Sequence, residues 1–75
     1  MENYYPFDFA RQASADLLRR REWAENDRTE LLAVNARAEQ LAAAYGPLRD
    51  LGAVSPKLIA MEEDRLLQRI EAVIS

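Results

Sequence analysis

The sequence predicts an all-α protein: a small helical hairpin or three-helix bundle, made from one long stretch of helix formers, bent or broken, and a C-terminal amphipathic helix. Three observations carry this. Residues 8–45 contain neither glycine nor proline and are dominated by alanine, leucine, arginine and glutamate, all strong helix formers. Ser55-Pro56 pairs a capping serine with a proline suited to the first helical position. From 56 to 74, apolar residues recur at helical spacing.

Taken in order, residues 1–7 read as an extended aromatic arm. Pro6 disfavours helix at Tyr5, and Asn3 adds turn tendency. Asp8 can then cap the helix that follows. Within 8–45, Ala10, Leu17, Ala24, Leu31, Ala38 and Tyr45 repeat every seven residues. Their companions three residues on are Ala13, Arg20, Asp27, Val34 and Leu41, so the stripe is apolar at both ends and polar in the middle. A break there would leave Arg19-Arg20-Arg21 ending one helix, with Asp27 and Glu30 as a capping box for the next. Asp16/Arg20 and Arg21/Glu25 instead sit at the spacing that supports an unbroken helix. With no glycine in the segment, a continuous or bent helix is the preferred expectation.

Gly46-Pro47 reads as the stop, since glycine suits the left-handed position after a helix and proline cannot continue it. Residues 46–55 form a connector. The last helix has its stripe at Ile59, Leu66, Leu67, Ile70, Val73 and Ile74, with Glu62, Glu63, Arg65, Gln68, Arg69 and Glu71 placed outward. The whole of 1–75 is one domain.

Composition narrows the chemistry. Net charge is −3, and the thirds 1–25, 26–50 and 51–75 each carry −1, so no basic face emerges to suggest nucleic acid or an anionic membrane. No apolar run approaches the roughly 18–20 residues of a bilayer span. The N-terminus lacks the basic start and apolar stretch of a signal peptide, which makes the cytoplasm the expected address. With no cysteine and no histidine, the chain cannot build a Ser-His-Asp or Cys-His pair and lacks the commonest transition-metal ligands. Two glycines make no phosphate-cradling loop. An enzyme is not expected, nor a cofactor, nor a metal. Glu62-Glu63-Asp64 point about 100° apart on a helix and read as a solvated face.

What remains is binding to another protein. Tyr4, Tyr5, Phe7 and Phe9 gather most of the aromatic surface near the N-terminus, either as a lid folded over the helices or as an arm that docks on a partner. Arg19 and Arg20 are the candidate cationic spot, although Asp16, Glu22 and Glu25 offset them. Trp23, the single tryptophan, either packs across the helices or anchors a partner. A helix over 8–45 would span about 57 Å at 1.5 Å per residue. The last helix covers about half of that, leaving Ala10, Ala13, Leu17 and Leu18 for a second copy to cover. The expected function is therefore a small adaptor, inhibitor or accessory subunit that works as a dimer. The alternative is a small helix-turn-helix-like transcriptional regulator, in which residues 40–46 resemble a first helix but the nine or so residues to Pro56 exceed the usual turn.

Overall fold

The computed structural model describes residues 5–75, and Tyr4 lies outside them. Three helices follow one another: α1 over Asp8–Arg20, α2 over Glu25–Asp50 and α3 over Pro56–Ile74. No strand occurs among the described residues.

The preferred continuous helix over 8–45 is not what forms. The chain leaves the helix at Arg21, which is fully extended (φ −161°, ψ 173°), and re-enters at Glu25. The physical reason lies in Trp23. In an unbroken helix the Leu17 carbonyl would accept the Arg21 N–H. Here the Trp23 indole Nε1–H donates to it instead, at 2.8 Å. The indole thus folds back and satisfies a carbonyl left open by the helix end. The Arg21 guanidinium sits 4.0 Å from the centroid of the Trp23 ring. The polar centre of the heptad stripe, Arg20 and Asp27, falls on this break, so each apolar end of the stripe belongs to a different helix. The Asp27–Glu30 box does not start α2; its cap is Ala24, without a side-chain hydrogen bond.

Because α1 folds back, the surface that a long helix would have left bare is largely covered. Ala10 is fully buried, and Ala13, Leu17 and Leu18 pack partly buried against the core. The argument for dimerisation from that bare half therefore falls away. Phe7 stacks on Tyr45 with ring centroids 5.7 Å apart, and Asn35 reaches Arg11 and Ser14, so α1 runs antiparallel to α2. At the opposite end of α3, Arg69 pairs with Glu30, so α3 also returns antiparallel along α2. Helices α1 and α3 consequently run parallel to each other.

The core is one cluster: Phe7, Ala10, Leu31, Val34, Ala38, Ala42, Ile59, Leu66 and Ile70. Each fully buried leucine, valine or isoleucine contributes about 1.5–3 kcal/mol relative to exposure. Within the interface, Ser14 is buried and its hydroxyl donates to the carbonyls of Ala10 (2.9 Å) and Arg11 (3.0 Å). The Asn35 amide donates to the Arg11 carbonyl at 3.0 Å and to Ser14 Oγ at 3.1 Å. A satisfied buried polar network of this kind fixes the register of α1 on α2.

Two boundaries differ from expectation. Helix α2 runs straight through Gly46-Pro47 and ends at Asp50. Gly46 is buried against the Tyr5 side chain, and a Cβ there would collide with the Tyr5 hydroxyl. Its glycine accommodates the close approach of the Tyr5 ring and does not make a turn. The C-terminal glycine is Gly52, at φ +72°. Its N–H donates to Arg49 O at 3.0 Å and the Ala53 N–H to Leu48 O at 2.8 Å, the paired bonds of a Schellman ending. Pro47 removes one hydrogen bond in the last turns of α2, where only Leu48–Asp50 follow. The start of α3 is as expected: Ser55 Oγ accepts the Lys57 N–H at 3.1 Å and Pro56 opens the helix.

Candidate protein-binding surface

The beginning of α1 organises the surface. Asp8 does not cap the helix; it is the first helical residue, and the cap position belongs to Phe7 in a left-handed conformation (φ 66°, ψ 14°). Such a conformation costs a non-glycine residue roughly 1–2 kcal/mol. Complete burial of the Phe7 ring against Tyr45 offsets it. The Asp8 carboxylate instead ties down its own turn through Arg11 and Gln12.

With no local side chain capping α1, the acceptor comes from another helix. Glu63 of α3 is 4% exposed and its carboxylate accepts the Ala10 N–H at 3.0 Å. This corrects the reading of Glu62-Glu63-Asp64 as a uniformly solvated face. The signal was present in the spacing: Ile59, Glu63, Leu66 and Ile70 lie on one helical stripe, so Glu63 is an acid in a row of buried positions. Its negative charge also faces the positive end of the α1 dipole.

Helices α1 and α3 meet at this cap. The space between them is an open apolar groove lined by Phe9, Ala60, Glu63, Asp64 and Leu67. A second depression continues past Phe9 along α1, lined by Gln12, Ala13, Ala15, Asp16 and Arg19. Phe9 stands on the ridge between the two and is 66% exposed. It is the most exposed aromatic side chain among the described residues.

The other residues singled out in the sequence fall in different places. Phe7 is core and touches no solvent. Tyr5 lies over Gly46, with the Arg49 guanidinium 5.8 Å from its ring centroid, so it belongs to the lid and not to the groove. Arg19 and Arg20 both pair with Asp16, at 3.3 and 2.8 Å. Trp23 is half-buried at the α1–α2 break, away from Phe9. The structure therefore does not gather Tyr5, Phe9, Arg19 and Trp23 into one site. Sequence reasoning missed Glu63, Ser14 and Asn35, whose roles depend on contacts across helices.

Further exposed apolar residues cluster in sequence around the α2–α3 turn: Leu48, Leu51, Leu58 and Met61. Among the described residues no group of acids could hold a metal ion, and no helix is long and apolar enough to cross a membrane. The Glu30–Arg69 pair, with bonds of 2.8 and 3.1 Å, closes the far end of the α2–α3 interface. Hydrogen bonding to Arg69 holds the Glu30 carboxyl below its ordinary range, and the attraction of the two charges adds to this against slight desolvation. The same bond raises Arg69.

No protein-family model matches the chain, and neither a curated protein nor a solved structure is similar to it.

Proposed function

We propose that this chain is a non-catalytic protein-interaction module, of the adaptor, inhibitor or accessory-subunit kind, and that it pairs with a second copy of itself through the α1–α3 groove. One observation carries the reading. Phe9 projects a largely exposed ring beside an apolar groove on the same face. A protrusion and a recess on one face are what a two-fold, self-complementary interface requires, because each ring can enter the other protomer's groove. Burying a phenylalanine contributes about 1.5–3 kcal/mol, and aromatic anchors in pockets dominate interface energetics. Ala13, Ala15 and Ala60 beside it let two helices approach closely.

A cytoplasmic address is part of the same proposal. The transcriptional-regulator reading draws on no particular feature: α2 and α3 lie antiparallel, and Asp64 is exposed midway along α3, where phosphate would be repelled.

Sedimentation velocity tests the proposal. The wild-type chain is expected to be a dimer at micromolar concentration, and Phe9→Gln a monomer with unchanged helical circular dichroism. A wild-type chain that stays monomeric as its concentration is raised overturns the self-pairing.

A further inference from the structure

The break between α1 and α2 carries a second site that the groove does not use. Leu18, Arg21, Glu22, Trp23 and Arg28 line one pocket there. Leu18 and the indole supply its apolar part, and the indole is fixed by its bond to the Leu17 carbonyl. The Arg21 guanidinium sits over the ring, 4.0 Å from its centroid, and this cation–π contact holds it beside the pocket. Like Arg37 and Arg65, neither Arg21 nor Arg28 forms an ion pair with a carboxylate among the described residues, whereas Arg11, Arg19, Arg20, Arg49 and Arg69 do. The acids nearest in sequence are Glu22, on the pocket wall, and Glu25 and Asp27, in the first turn of α2. They lower the local potential without occupying either guanidinium. The cap of α2, Ala24, offers no side-chain acceptor to the first N–H groups of that helix.

We propose that this pocket takes an acidic segment of a partner protein. One carboxylate sits between the Arg21 and Arg28 guanidiniums, and a neighbouring apolar residue rests on Leu18 and the edge of Trp23. Arginine suits this task because its planar fork matches a carboxylate in two parallel bonds, and charge-assisted bonds of that kind are about twice as strong as neutral ones. Arg21 and Arg28 line one pocket together with Leu18 and Trp23, a combination that favours an anionic side chain with an apolar neighbour even in a chain of net charge −3. The assignment rests on the protein-binding reading but not on the groove, since Phe9 lines neither wall of this pocket.

Trp23 is the only tryptophan, so its fluorescence reports the pocket directly. The probe is a short peptide of alternating glutamate and leucine, with a glutamine-for-glutamate peptide and inorganic phosphate as comparisons. Wild type should give a saturable change with the glutamate peptide, weakened by added salt. Its midpoint should move by about tenfold or more in Arg28→Gln, which leaves the Arg21–Trp23 stack intact, and also in Arg21→Gln. No saturable change, an Arg28→Gln midpoint equal to wild type, or equal binding of the glutamine peptide overturns the proposal. Phosphate binding as tight as the peptide overturns the assignment to a protein segment. A chain that dimerises but ignores the peptide removes only this site; a monomer that binds the peptide removes only the groove.

Discussion

The Glu63 carboxylate of α3 accepts the backbone N–H of Ala10 in α1 at 3.0 Å, so the third helix supplies the cap that the first cannot make for itself. Residues 53 apart in sequence thereby tie the start of α1 to the middle of α3, beside the groove that Glu63 also lines. Glu63→Ala is expected to destabilise the fold by about 1–3 kcal/mol, the cost of leaving buried donors unmatched. Glu63→Gln keeps an acceptor and should lose less. Urea unfolding followed by circular dichroism measures both; an unchanged midpoint in the alanine variant would mean that water replaces the carboxylate.

Tyr5 and Gly46 form a second dependent pair. Gly46→Ala alone should displace the Tyr5 ring, because a Cβ would meet its hydroxyl end. In a Tyr5→Ala background the same change meets no ring and should gain up to about 1 kcal/mol of helix propensity. The double-mutant cycle is therefore expected to show a coupling of about 0.5–1 kcal/mol. Additive effects would place the Tyr5 ring elsewhere.

Gly52 behaves differently, since a Cβ there meets nothing within 4 Å and only its φ of +72° matters. Gly52→Ala should cost about 1–2 kcal/mol through backbone strain, and Gly52→Asn less, because asparagine tolerates the left-handed region. Thermal unfolding of the two variants gives the order; equal losses would contradict a purely conformational role.

The Glu30–Arg69 pair sets a modest acid limb. Its hydrogen bond lowers the Glu30 pKa in the folded chain from the ordinary value of 4.5, so its contribution is fully present above that value. It is lost as pH falls through the lowered folded-state value. Both side chains are more than a third exposed, which limits the effect to about 0.2–1 kcal/mol. Glu30→Gln should lower stability by that amount at neutral pH and leave it unchanged in strong acid. A difference that persists in acid would assign the loss to packing.

Much of α3 was legible because its signals are local. Ser55-Pro56 starts it as expected, and Ile59, Leu66 and Ile70 are buried on the expected stripe. Gly46 misled for the opposite reason: the glycine answers to Tyr5, forty-one positions earlier, while the true stop, Leu51-Gly52, sits in the connector. The break at Arg21 was visible as polar residues in the heptad stripe, but its cause, an indole bonding to Leu17, involves a side chain that no periodicity describes. Phe9 was singled out with Phe7 as part of one arm. Only the left-handed turn at Phe7 separates them, sending one ring into the core and its neighbour but one into solvent.

The α1–α3 groove is tested most directly by amide chemical shifts recorded over a concentration series. Self-pairing predicts concentration-dependent changes centred on Phe9, Ala13, Ala60 and Leu67, absent in Phe9→Gln. Spectra that do not change with concentration, or changes confined to Ala33, Ala36 and Ala43 on the exposed side of α2, would contradict it.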